Sequence, residues 1–172
     1  MQTRRGVLGL VLLAPLAGAG CGWEPLYADR ETGPADADLR AIRVDPIPDR
    51  IGQRLELALR RSFNPTGIAT PTRYVLHTTL AVSRQDLGIQ SQGLGTRGRV
   101  EVAATFALTD AKTGQNLLTS TSHTADSFDI VASGYSTVVA EEDARNRAAE
   151  EVRRDMVTKL TLFLQRRAAG PT

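Results

Sequence analysis

Two runs of alternating residues constrain the fold of this chain more than any other feature. In both runs almost every second side chain is apolar: Tyr74, Leu76, Thr78, Leu80 and Val82 in the first, and Val100, Val102, Ala104, Phe106 and Leu108 in the second. Alternation of this period is typical of β-strands that bury one face. A turn at residues 110–114 and a Thr- and Ser-rich strand over residues 117–126 follow the second run. This predicts an antiparallel hairpin with one solvated face.

Two stretches with helical periodicity flank these strands. Residues 50–62 follow Asp49, which we interpret as a helix N-cap, and end at Asn64-Pro65-Thr66-Gly67. Residues 136–166 predict a second, longer helix, whose charged face carries the pairs Glu141 with Arg145 and Glu150 with Arg154. Its apolar stripe consists of Ala144, Ala148, Val152, Met156, Leu160 and Phe163, joined by Ala149 and Leu164.

A short alternating stretch at residues 41–44 predicts an edge strand before the first helix. The predicted order is therefore β-α-β-β-β-α. We expect an α+β fold, a two-layer sandwich with two helices on one face of a four-stranded, mostly antiparallel sheet. Residues 85–98 are rich in glycine and polar side chains, and they predict a long connection between strands. A single domain over residues 40–167, with a tail at 168–172, follows from this assignment.

Residues 1–20 have the layout of a lipoprotein export signal. Arg4 and Arg5 precede an almost wholly apolar stretch, and small residues follow it. The apolar stretch is shorter than the roughly 20 residues that span a bilayer, and Pro15 interrupts it. The two arginines leave both the general and the twin-arginine export routes open.

The only cysteine, Cys21, directly follows this segment. Small residues before it and Gly22 after it resemble a bacterial lipobox, although Gly18 stands where such boxes usually carry Leu. The resemblance implies that Cys21 is the lipid attachment site and that the protein reaches the outer membrane. Acyl chains contribute about 0.8 kcal/mol per buried CH₂, which is enough for a firm anchor. Residues 21–39 predict an acylated tether with little regular structure, in which Trp23, Leu26 and Tyr27 lie at the membrane interface or against the folded body.

The basic character of the chain resides mostly in the export segment. That segment carries two arginines and no acid, so the remaining chain has 19 basic and 19 acidic side chains. Aromatic residues make up only 5% of the chain. A neutral, aromatic-poor protein lacks both the electrostatic footprint and the stacking platform of nucleic-acid binders. We therefore expect no nucleic-acid partner.

Known catalytic and cofactor motifs are absent from the sequence. His77 and His123 lie in predicted strands without a nearby carboxylate triplet, so we predict no metal site. Gly93, Gly95 and Gly98 have the spacing of a dinucleotide-binding loop, but no helix follows them to bind phosphate. The acids at 141–143 favour the start of the second helix rather than catalysis. The sequence therefore predicts a protein that is not an enzyme and carries no cofactor.

The string Cys21-Gly22-Trp23-Glu24-Pro25-Leu26-Tyr27 resembles the start of mature LPS-assembly lipoproteins of the LptE family, especially its alphaproteobacterial members. The predicted element order over residues 42–166 is similar to the two-layer fold of that family. The resemblance implies a plug inside the LptD β-barrel of the outer membrane, which helps that barrel assemble and takes part in delivering lipopolysaccharide to the cell surface.

A different class of function remains open beside this one. The chain is alternatively an accessory or carrier lipoprotein of another envelope lipid-transport complex, which would require an apolar pocket. If lipopolysaccharide is a direct ligand, its phosphates need cationic partners. Arg84, Arg97 and Arg99 flank the predicted 85–98 loop, where Asp86 is the one acid. We interpret these three arginines as the candidate lipopolysaccharide contact.

Overall fold

A computed structural model describes residues 34–89 and 95–169. Within these ranges the chain forms three helices and four strands. Their bounds are α1 Pro34–Arg40, β1 Ile42–Val44, α2 Arg50–Phe63, β2 Tyr74–Ile89, β3 Gly95–Asp110, β4 Asn116–Asp129 and α3 Gly134–Ala169. The helices pack against one face of a single sheet, which confirms the predicted two-layer α+β fold. No helix within the described residues has the length and apolar character required to cross a membrane.

The four strands lie in the order β1-β2-β3-β4. β1 is parallel to β2, with Val44 opposite Leu76, and the other two pairings are antiparallel. β1 is therefore the predicted edge strand. Each register places apolar side chains of neighbouring strands on the same face. Leu76, Leu108 and Leu118, for example, form one row across the sheet.

The prediction of a loop over residues 85–98 is wrong for most of these residues. β2 continues to Ile89 and β3 begins at Gly95, with Asp86 opposite Gly98 and Leu87 opposite Arg97. The ladder extends because pairing uses backbone groups, which glycine and polar residues supply as well as apolar residues do. The Gly95 and Gly98 positions of the predicted loop therefore belong to a strand. Gly93 lies outside the described residues.

The core lies between the helices and the even-numbered residues of β2 and β3. Leu76, Val100, Val102 and Leu108 are fully buried there. From α2, the buried side chains are Leu55, Leu59 and Phe63, and from α3 they are Ala144, Ala148, Ala149, Val152, Met156, Leu160 and Leu164. The predicted stripe of α3 is thus its buried face, and Phe163 at its margin is half-buried.

Four local predictions need correction. Pro34–Arg40 form the helix α1 within the predicted tether, because Pro34 suits a first helical turn and an Asp36–Arg40 ion pair of 2.7 Å spans one turn. Asp49 occupies the N-cap position of α2, but its side chain makes no capping hydrogen bond.

The other two corrections concern α3. Glu150 pairs with Arg153 rather than Arg154, because positions three apart are also neighbours on a helix. α3 begins at Gly134, so the acids at 141–143 lie beyond its first turn and cannot support the predicted interaction with the helix start.

Candidate functional site

The candidate site is the end of the sheet where β2 ends and β3 and α3 begin. We call it the open end, and the opposite end, which holds β1 and the 110–114 turn, the closed end. The face of the sheet that carries no helix is the bare face. The predicted contact residues Arg84, Arg97 and Arg99 all lie at the open end.

Arg84 lies on the helix-covered face, because it is opposite the buried Val100. Its guanidinium contacts Glu141 of α3 at 3.2 Å and Asp86 at 2.9 Å. It also lies 5.6 Å from the ring centroid of Phe128, a distance at which cations are attracted to aromatic faces. Arg84 is thus already neutralised by two carboxylates.

Glu141 is a central residue of this site, and the sequence analysis did not identify its role. Its side chain is buried; it forms an ion pair with Arg84 of β2 and accepts a hydrogen bond from Arg145 of its own helix. A buried carboxylate needs such partners, since an unpaired charge away from water is strongly unfavourable. The helical spacing of Glu141 and Arg145 was visible in the sequence, but the partner in β2 was not.

Gly98 provides the space that the Phe128 ring occupies next to this ion cluster. The Phe128 ring of β4 lies directly over Gly98, where any side chain would overlap it. The glycine therefore serves close packing. Phe128 in turn supports the Arg84 guanidinium.

Arg97 and Arg99 lie on the bare face, opposite to Arg84. Both are exposed, and they share this face with Glu101 of β3 and with Asp129, which is opposite Arg97 in the register of β4. The structure therefore does not bring the three predicted arginines into one patch. Successive strand residues point to opposite faces, so the expectation of one patch required the loop that the strands replace.

Between the two ends, the bare face is lined by small and hydroxyl-bearing side chains. They are Thr79, Ala81 and Ser83 of β2, Ala103, Thr105 and Ala107 of β3, and Thr119, Thr121, His123 and Ala125 of β4. The charged residues Arg97, Arg99, Glu101 and Asp129 lie toward the open end of this face, with Glu101 in the same row as Ser83 and Ala125. The middle of the bare face is thus polar.

A carboxylate, an imidazole and a hydroxyl line up on the bare face near β1. His77 Nδ1 lies 2.8 Å from Asp45, and His77 Nε2 lies 3.3 Å from the Thr109 hydroxyl. The Thr109 hydroxyl also donates to the carbonyl oxygen of Val75, so its proton is directed away from the imidazole. These contacts connect the residue that follows β1 with the beginning of β2 and the end of β3. The sequence did not reveal this carboxylate partner of His77, because finding it requires the register of the parallel pair.

Two further observations concern metal binding and the ionisation of a carboxyl group. Within residues 34–89 and 95–169, no three His, Cys, Asp or Glu side chains cluster as metal ligands. On α3, a hydrogen bond from Arg147 holds the pKa of the Asp126 carboxyl of β4 below its ordinary value. Cys21, the predicted lipid attachment site, lies outside the described residues.

Comparisons with known proteins were made for sequence and for structure. Residues 39–160 match the model of a family described as LptE, lipopolysaccharide-assembly. A candidate lipoprotein from Caulobacter crescentus, solved at 2.40 Å, has a TM-score of 0.61 and 22% identity, over 76% of this chain and 96% of that one. A minor lipoprotein from Acinetobacter baumannii has a TM-score of 0.54 and 15% identity, over 72% and 92%. The search of curated proteins finds no match. At these identities the structural likeness shows a shared fold.

Proposed function

The chain belongs to the LptE lipopolysaccharide-assembly family, and from this membership we propose that it is an outer-membrane lipoprotein that plugs an LptD-type β-barrel and helps it assemble. The barrel then delivers lipopolysaccharide to the cell surface. The observation that carries this proposal is the family match, because it spans nearly the whole described domain, from α1 into the last turns of α3.

The surface of the domain supports a role as a plug. Barrel lumens are polar, so a protein seated in one needs a polar exterior and no catalytic centre. The bare face has this character over three strands, as shown by the row Thr79, Thr105 and Thr121. We infer that the protein is not an enzyme and requires no cofactor.

The anchor completes the proposal. We infer that Cys21 is acylated after removal of residues 1–20 and holds the domain at the periplasmic side of the outer membrane. Residues 21–33 then connect the lipid to α1. Replacement of Cys21 by Ser should abolish acylation and leave the precursor uncleaved at this site. An unmodified Cys21 thiol in the mature wild-type protein would exclude the anchor.

The carrier alternative is less well supported. A lipid carrier needs an enclosed apolar cavity. In the described part of the chain, the groove beside β4 is open to solvent rather than enclosed, and its lining includes Arg147, Glu151 and Arg154. The buried apolar side chains fill the space between helices and sheet instead.

Co-purification from detergent-solubilised outer membranes tests the proposal. The tagged wild-type protein should retain a β-barrel protein at equal stoichiometry. The Cys21→Ser variant, purified separately and mixed with the purified barrel in detergent, should still bind it, because the proposed interface lies on the folded domain and not on the lipid. Recovery of the wild-type protein without any barrel would contradict the plug and favour the carrier.

A further inference from the structure

The open end lacks the second helix that covers the rest of the sheet. α2 and α3 run side by side, and the contact of Arg54 with Glu142, at 2.8 Å, marks where α2 begins. α3 extends two further turns beyond this point, to Gly134. In the described part of the chain, residues 134–141 therefore have no helix beside them on the α2 side.

A groove of about 440 Å³ lies where a longer α2 would have been. It is lined by Asp49, Arg50, Ile51, Leu80, Val82, Glu142 and Arg145. Exposed apolar side chains stand on both sides of it. Val82 is 41% exposed on β2, and Val138 and Tyr135 are 65% and 80% exposed on α3. Helical spacing places both α3 residues on the face that carries Glu142. We call this groove, with Tyr135 and Val138, the notch.

The edge of β2 beside the notch has backbone groups directed outward. β1 covers β2 from Tyr74 to Leu76, where Tyr74 N donates to Ala41 and Asp45 N donates to the Leu76 carbonyl. Even-numbered residues of β2 therefore direct their N–H and C=O groups away from β3. The register with β3 runs without a shift past Leu87. Within residues 34–89 and 95–169, the outward groups of Leu80, Val82 and Arg84 consequently have no paired strand and form an edge in line with β1.

This edge carries few of the features that prevent strand pairing. Residues 80–87 contain no proline, and no bulge interrupts their register; their charged residues on the helix-covered face, Arg84 and Asp86, follow Leu80 and Val82. Leu80 and Val82 point toward the helix layer, into the notch. A strand added to this edge would therefore place every second side chain among exposed apolar groups. Both the main chain and the side chains of an extended polypeptide would be satisfied here.

We propose that the open end binds an extended, alternately apolar segment of the barrel partner, added to the edge of β2 as a strand in line with β1. The inference rests on the proposed function, which seats the domain within that barrel. The charges around the notch favour a polypeptide over an anionic lipid. Arg50 and Arg145 are matched there by Asp49 and Glu142, so the notch offers no net positive charge to a phosphate.

Amide hydrogen exchange distinguishes strand addition from other modes of contact. The free protein and its detergent-purified complex with the co-expressed barrel are compared at single-residue resolution. The amides of Thr79, Ala81 and Ser83 point to β3 and should be protected in both. The amides of Leu80, Val82 and Arg84 should exchange rapidly in the free protein and at least roughly ten-fold more slowly in the complex.

A pair of matched variants gives an independent readout. Val82→Lys places a charge in the notch, whereas Leu162→Lys places the same charge at a similarly exposed apolar position of α3, away from both the notch and the bare face. After both variants are shown by circular dichroism to fold like the wild type, Val82→Lys should lose the slow exchange of the Leu80 and Arg84 amides in the complex. Leu162→Lys should retain it.

Each remaining outcome overturns the inference in a recognisable way. If the barrel co-purifies but the outward amides stay fast, strand addition is wrong and the plug stands. If no barrel co-purifies, both proposals fail. If those amides already exchange slowly in the free protein, another segment is paired with the edge of β2, and the mass of the free protein in solution identifies it. A dimer indicates a second copy of the chain, and a monomer indicates the chain's own residues 21–33.

Discussion

The closed and open ends of this domain are built from the same three strands and the same helix, yet they are completed differently. At the closed end, β1, α1 and α2 cover what α3 leaves open, and Leu59, Leu160 and Leu164 have no exposed surface. At the open end α3 stands alone, and Val82, Tyr135 and Val138 remain exposed. The comparison indicates that the closed end holds the most completely buried part of the core, and it motivates the proposal that a partner completes the open end.

The largest expected effect concerns the closed end. Leu160→Ala removes a fully buried side chain and should lower the free energy of unfolding by about 2–5 kcal/mol. Leu162→Ala, two residues away on the same helix and 45% exposed, is the matched control and should cost under about 0.5 kcal/mol. Urea unfolding measures both. Equal losses would mean that α3 is not docked by the face described here.

Gly98→Ala tests the packing of the open end. The added methyl group overlaps the Phe128 ring, and overpacking of this kind typically costs about 1–3 kcal/mol. Gly134→Ala, at a position with open space around it, should show no such loss. Thermal unfolding of the double variant Gly98→Ala, Phe128→Leu should recover part of the stability. If the double variant recovers no stability, the loss caused by Gly98→Ala does not come from overlap with Phe128.

Glu141→Gln tests the ion cluster that joins α3 to β2. It leaves Arg84 and Arg145 with a neutral partner, and because both arginines are partly exposed we expect a loss of only about 1–2 kcal/mol. Glu151→Gln changes an exposed ion pair on the same helix and should change the free energy of unfolding very little. A double-mutant cycle with Arg84→Gln should show coupling. If the effect of the double variant equals the sum of the two single effects, Glu141 and Arg84 do not interact as described.

The smallest effect is a dependence on pH at the pair Asp126–Arg147. The hydrogen bond from Arg147 lowers the pKa of Asp126 in the folded state below its ordinary value of 3.8, although burial partly opposes this. The stabilisation is present above that value and is lost as the pH falls through the lower, folded-state pKa. Asp126→Asn should therefore be less stable than wild type at pH 7, by less than about 1 kcal/mol, and the difference should shrink in acid.

Arg147→Gln, which removes the donor of this hydrogen bond, provides the matched background. Unfolding measured from pH 7 down to pH 2 should show the shrinking difference for Asp126→Asn in the wild-type background and a smaller one in the Arg147→Gln background. A difference for Asp126→Asn that stays constant over this range would mean that the ion pair does not stabilise the fold.

The contrast between the two ends also explains what the sequence could predict. Where side chains are buried, periodicity reports the fold, and so the alternation from Tyr74 to Val82 and the stripe through Leu160 gave the correct elements and faces. At the open end, backbone pairing continues through Gly95 and Gly98 without any apolar pattern. The sequence therefore predicted a loop there, and with it a single patch of three arginines.

The candidate site depended on long-range pairing that one sequence does not show. Glu141 and Arg84 are 57 positions apart, as their numbers show, and meet only because α3 crosses β2 at the open end. The outward edge of β2 likewise follows from β1 being only three residues long beside a strand of 16. The family resemblance, in contrast, came from a short string at Cys21 and is supported independently by the match over residues 39–160.

The most direct test of the central claim is to deplete this protein in its own cell and measure the lipopolysaccharide exposed at the surface. We expect surface lipopolysaccharide and the amount of correctly assembled barrel to fall together, and a wild-type copy to restore both. A cell that keeps normal surface lipopolysaccharide and a normal amount of assembled barrel after depletion would contradict a role in lipopolysaccharide assembly.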